Sequence, residues 1–143
     1  MHPQADAQYR VQLALGFLDE AHQDIQIQRW RSCVDNSQLA AENAAKAPLA
    51  LLGPVGRTHA PATVLRRAMS AGRFSQDVRP DVERLAEVAE QLGWDVHMAS
   101  DYGDEATRRT PWELFDETYA QQAIAQADEA VNLARRIVQR GQP

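Results

Sequence analysis

QLAAENAAKAPLALL, residues 38–52, decides the fold class of this chain. Its alanines and leucines recur at helical spacing through Leu39, Ala40, Asn43, Ala44, Ala47 and Leu51. Asp35, Asn36 and Ser37 stand just upstream as good N-cap residues, and Gly53-Pro54 stands just downstream as a stop, so the pattern predicts a helix between them. Pro48 lacks an N–H and clashes with the carbonyl of Ala44, so this helix is expected to bend or break there. The stretch also holds the only lysine of the protein, Lys46, every other basic side chain being arginine. A lone lysine among alanines is either a snorkelling surface group or a selected one. Glu42 lies one turn before it in the favourable order for an i,i+4 pair, which if exposed is worth about 0.2–0.5 kcal/mol.

Working outward, Tyr9, Leu13, Phe17, Ala21 and Ile25 recur every four residues, widened by Val11, Leu15 and Leu18, and predict a first helix over about Ala7 to Gln28. A short helix is expected over Ala60 to Ala71, with Pro61 in its first turn and Gly72 at its end. After a loop over Arg73 to Arg79, Pro80-Asp81 opens a helix carrying Val82, Leu85, Val88, Ala89, Leu92 and Val96. Gly93 inside it marks close packing or a bend. Ser100 to Phe115 reads as a polar connection anchored by Tyr102, Trp112 and Phe115. The last helix, from about Asp116 to Arg140, places Tyr119, Ala123, Ala127, Ala130, Ala134 and Ile137 for burial. The expected architecture is all-α, an up-and-down bundle of four to five helices.

The length of 143 residues and the absence of a Pro/Gly/Ser linker are those of one compact domain, residues 1–143. A mean hydropathy of -0.50, with no apolar run near the length of a bilayer, argues against a membrane span. The N-terminus MHPQADAQYR has no signal pattern, and Cys33 stands alone, so a reduced thiol in a cytoplasmic protein is expected. The net charge of -5 disfavours a broad nucleic-acid surface without excluding a local basic patch. Arg57, Arg66, Arg67, Arg73 and Arg79 are opposed along the chain only by Asp77, so such a patch, or a solvated face, is read there.

Chemistry-bearing groups are sparse. Asp19, Glu20, His22 and Asp24 lie on the polar side of the first helix without metal-ligand spacing. Arg57, Thr58 and His59 precede a helix start, a place where phosphate can be held, although Thr58 also suits a simple cap. The connection before the last helix collects Asp101, Asp104, Glu105, Arg108 and Arg109. A binding or partner contact is one reading of it, and a structural crossover is the other. His97 is expected to pack at a helix end. No nucleophilic triad, glycine-rich phosphate loop or cysteine pair is present, and neither a metal nor a cofactor is expected.

The succession of QLAAENAAKAPLALLG, THAPATVL and DYGDEATRRTPWELF before an alanine-rich last helix resembles the HEPN family, the higher-eukaryote and prokaryote nucleotide-binding domain. The resemblance covers nearly the whole chain and touches Glu42, Lys46, His59, Tyr102, Gly103 and Asp104. It implies a helical, dimeric domain that binds nucleotides or cleaves RNA, often beside a nucleotidyltransferase in a toxin–antitoxin pair. Ribonucleases of the family carry Arg, four to six residues, then His. None of His2, His22, His59 or His97 has an arginine at that distance upstream, and Asp101 stands where the family-like turn has arginine. The expected function is therefore a non-catalytic binding or regulatory module, a homodimer with weak affinity for nucleotide or RNA. The alternatives are a ribonuclease with a non-standard set, His59 with Arg57, Arg108 or Arg109, and a structural helical scaffold.

Overall fold

A computed structural model describes residues 2–141. Seven helical segments follow one another: α1 (Pro3–Gln26), α2 (Trp30–Leu52), α3 (Pro61–Ser70), α4 (Arg79–Gln91), α5 (Trp94–Tyr102), α6 (Pro111–Leu114) and α7 (Glu117–Arg140). The all-α class is as expected, and α4, α3 and α7 begin within a few residues of their sequence signals. Among the described residues no helix is long and apolar enough to cross a membrane.

α2 is the axis of the bundle, packed on α1 and α7 along its length and on α3, α4 and α5 at its sides. Ala40, Ala41, Ala44, Ala45 and Ala47 are fully buried, because a methyl side chain lets neighbouring backbones approach closely. The start of this helix differs from the expected one. It starts at Trp30, since Asp35, Asn36 and Ser37 spend their side chains on other partners: Asn36 donates to Asp24 at 2.8 Å and Asp35 accepts from Ser100 Oγ at 3.1 Å. Of the bend or break expected at Pro48, the break does not occur: one helix runs through the fully buried ring, and packing on all sides offsets the lost hydrogen bond.

On α1 the buried seam runs through Ala7, Ala14 and Ala21, with Val11, Leu18 and Ile25 half-buried between them. Their alternation of four and three residues is the spacing of a helix–helix seam. Tyr9 and Leu15, expected on the buried stripe, are exposed, and Leu13 is half-buried; Tyr9 and Leu13, one turn apart, form a short apolar stripe turned away from the bundle, and Leu15 lies on another side of the helix.

The helix expected to reach Val96 instead splits at Gly93, where the backbone turns extended and α5 begins. Val96 and Ser100 of α5 are buried, so the first part of the expected polar connection is a helix. Gly103 ends it at φ 70, a conformation suited to glycine. Asp104 and Arg109 then pair their backbones at 2.8 and 3.0 Å in a tight reversal, with Arg108 at φ 58. Thr110 caps α6 and Asp116 caps α7, accepting from the Tyr119 N–H at 2.8 Å. The chain therefore reaches the last helix through three short ordered pieces. Cys33 lies buried at the α2–α7 contact, and burial pushes its thiol up to about 11, only partly offset by the Ser37 hydroxyl.

Candidate functional site

Three groups of side chains gather where α2 meets α3, α5 and α6. The first is at the beginning of α2. Gln28 at φ 63 reverses the chain out of α1, leaving Arg29 at the cap with no side chain on the helix end. The first amides of α2, from Trp30 to Ser32, have no acceptor within the helix. Trp112 of α6, 72% exposed, stands opposite and closes a groove of about 420 Å³ with Arg29, Trp30, Arg31 and Phe115. Arg31 lies 5.7 Å from the centre of the Trp112 ring and donates to the Ser100 carbonyl at 2.9 Å and to Ser32 Oγ at 3.3 Å. Arg29 is exposed and makes no ion pair among the described residues. The groove lining contains two guanidiniums and no carboxylate.

Behind Arg31 lies a second group. Its Nη1 is 3.9 Å from Asp35 and 3.8 Å from Asp101. His97 has Nδ1 3.6 Å from Asp35 and Nε2 3.6 Å from Asp101, beyond hydrogen-bond reach, and the buried Nδ1 has no hydrogen-bond partner among the described residues. Asp35, His97 and Asp101 offer ligand atoms within 4.8 Å of one another, the donor set of a divalent-cation site. Arg31 already stands against both carboxylates and supplies their counter-charge. Sequence reading missed this group because α2 and α5 contribute to it from distant positions; the one local signal was the i,i+4 spacing of His97 and Asp101.

The third group surrounds Glu42. Lys46 Nζ donates to Glu42 Oε2 at 3.3 Å, as the spacing predicts, but the two side chains are only 9% and 8% exposed. The surface reading of this pair is thus corrected: α2 is enclosed by other helices at this point, so its polar turn is enclosed too. Gln38 Nε2 at 3.5 Å and His59 Nδ1 at 3.4 Å face the other oxygen, Oε1. His59 lies against Trp94 with ring centres 4.2 Å apart, and the rings of Trp94 and His97 are 4.9 Å apart. A cavity of about 200 Å³ opens here between α2, the start of α3 and the α4–α5 junction.

The residues proposed from sequence for RNA cleavage do not come together. Thr58 and His59, adjacent in the chain, border different cavities: His59 the one just described, Thr58 one of about 410 Å³ with Leu52, Val64, Arg67 and Arg73. Thr58 Oγ1 accepts from the Ala60 N–H at 3.0 Å, the cap reading of that residue. Arg57 is exposed and borders neither cavity. Arg108 and Arg109 belong to the reversal after α5, and the cavity beside His59 has no arginine in its lining. The expected basic patch is also partly spent, Arg66 pairing with Glu90 and Arg73 donating to the Leu52 carbonyl at 3.0 Å.

Around the reversal, Tyr102 is 61% exposed and Gly103 is the helix stop. The Asp104 carboxyl is held below its usual range by the hydroxyl and amide of Thr107, with smaller help from the Ala106 amide and Arg109. That carboxylate organises its own turn. Asp101 is paired with Arg31, so the negative charge expected to repel phosphate is met by a guanidinium. No curated protein matches the sequence. A family model described as HEPN domain matches residues 7–138.

Proposed function

This chain belongs to the HEPN domain family, and from that premise we propose that it is a non-catalytic binding module that holds a nucleotide in the groove at the start of α2. A nucleotide needs a flat surface for its base and cations or free amides for its phosphates. The exposed ring of Trp112, the guanidinium of Arg29 and the uncapped first turn of a 23-residue helix supply these around one space of about 420 Å³, with Arg31 beside them already paired to Asp35 and Asp101. The positive half-charge of the helix end adds to the attraction. On a chain of net charge -5 this confinement favours a mononucleotide or an RNA end over a long strand.

The missing Arg-x4–6-His spacing supports the non-catalytic reading. If the ribonuclease alternative holds, its residues are Arg31 and His97, which do converge, rather than His59 with Arg57, Arg108 or Arg109. Asp35 and Asp101 stand beside that pair and oppose the phosphate it would have to hold. The outward apolar stripe of α1, with Tyr9 57% exposed, suits pairing with a second copy, and two-fold pairing is the commonest assembly. In this reading residues 1–143 form one cytoplasmic domain that dimerises and works beside a nucleotidyltransferase-domain protein, as in the toxin–antitoxin pairs of the family.

Titration of a fluorescent adenine nucleotide at low salt tests the groove. Arg29→Ala and Trp112→Ala should each weaken binding by about tenfold. Absence of saturable binding, or parental affinity in both variants, would refute the reading. Light scattering should give twice the 16.0 kDa chain mass, and a monomer at all concentrations would remove the dimer from it.

A further inference from the structure

The cavity beside His59 is built unlike the groove at the start of α2. Its lining has three carboxylates, Glu42, Glu90 and Asp95, the indole of Trp94, and no lysine or arginine. Arg66 pairs with Glu90, and Lys46 takes Oε2 of Glu42. Asp95 has no ion-pair partner among the described residues, and Oε1 of Glu42 remains turned towards Gln38 and His59. Gln38, only 1% exposed, borders the same cavity. Its Nε2 faces Glu42, which leaves its carbonyl oxygen buried with no donor among the described residues. Buried carbonyl groups are almost always satisfied, so this one marks a place where an N–H is wanted.

We propose that this cavity binds an organic cation, a primary ammonium or guanidinium on a short aliphatic stem. The N–H groups of the cation donate to Glu42 Oε1, Asp95 and the Gln38 carbonyl, and the stem lies on Trp94, whose ring face attracts positive charge. Helix ends weigh against this choice only slightly. The starts of α3 and α5 bring about +0.5 charge each and the end of α4 about -0.5, a sum smaller than the charge of Asp95 alone. A volume near 200 Å³ is below that of drug-sized sites and fits one amine or one side chain, not a nucleotide. The cation is either a free amine or the lysine or arginine side chain of a partner chain. The site is separate from the Trp112 groove, so failure of the nucleotide reading leaves it standing.

The test is the ¹⁵N-indole spectrum of the full chain, with the Trp94 signal identified by Trp94→Phe and the His59 ring signals followed as a second report. Butylammonium and agmatine form the free-amine arm, capped lysine and arginine amides the side-chain arm, and butanol and butyrate the controls. Saturable shifts with cations but not with butanol or butyrate are expected. Asp95→Asn, at an exposed position, should raise the dissociation constant by about tenfold. Binding confined to free amines would assign a small-molecule ligand, and binding confined to capped side chains would assign a partner chain; both support the cation site. No saturable shift with any cation, an equal response to butanol, or unchanged affinity in Asp95→Asn would overturn it.

Discussion

Replacing Lys46 by alanine separates two energies that differ by an order of magnitude. As an exposed i,i+4 pair, Lys46 and Glu42 would contribute about 0.2–0.5 kcal/mol. Removing one partner of a buried pair costs about 3–5 kcal/mol, because the remaining charge stays desolvated and uncompensated. Side-chain exposures of 9% and 8% select the second case. His59 offers partial relief: its Nδ1 lies 3.4 Å from the same carboxylate and remains beside it when the lysine is gone. The expected loss is therefore about 2–4 kcal/mol, somewhat below the full cost of an orphaned charge. Urea unfolding measures it directly, since a chain this size has a slope near 1.5 kcal/mol per M and the midpoint should fall by roughly 1–3 M. The double variant Glu42→Gln with Lys46→Met removes both charges and should recover more than half of the loss. A Lys46→Ala midpoint within about 0.3 M of the parent would show that water reaches the pair, and the enclosed reading of α2 would be wrong.

Gly103→Ala places a methyl against the Arg109 carbonyl and Pro111 at φ 70, so it should cost more than about 1 kcal/mol by denaturant unfolding, and a neutral result would refute the tight reversal. Cys33 should resist a thiol reagent at pH 8 until the protein unfolds. Its thiol is raised in the folded state, so the stability it contributes is complete below pH 9 and is lost as the pH rises through about 11; an unfolding midpoint that stays flat over that window would contradict the burial. Purified protein should cleave single-stranded RNA little or not at all without metal. Robust cleavage abolished by His97→Ala, or by His59→Ala, would instead make the chain an enzyme.

The helices that bury an ordinary stripe were legible: α7 follows from Ala123, Ala127, Ala130 and Ala134, and α3 from Pro61 and Leu65. The start of α2 was not, because cap preference is worth only about 1 kcal/mol and Asp35 and Asn36 find tertiary partners worth as much. α5 was hidden by its composition, since Trp94, His97, Asp101 and Tyr102 carry polar or exposed groups and only Val96 and Ser100 are buried. The Glu42–Lys46 contact could be read from spacing, but its burial could not, because it depends on what surrounds the alanines. The groove of Arg29, Arg31 and Trp112 joins positions far apart in the chain, and no local pattern announces it.

The alanine lining of α2 also bears on how this sequence can change over time. An alanine can be exchanged only for glycine or for something larger. Glycine in a helix costs about 1 kcal/mol, and extra atoms in a filled interior cost about 1–3 kcal/mol. Ala40, Ala41, Ala44, Ala45 and Ala47 thus have no inexpensive replacement, whereas the exposed polar positions of α4, such as Glu83 and Glu87, can accept most residues. Mutational drift in this lineage should be slowest along α2 even where it touches no ligand.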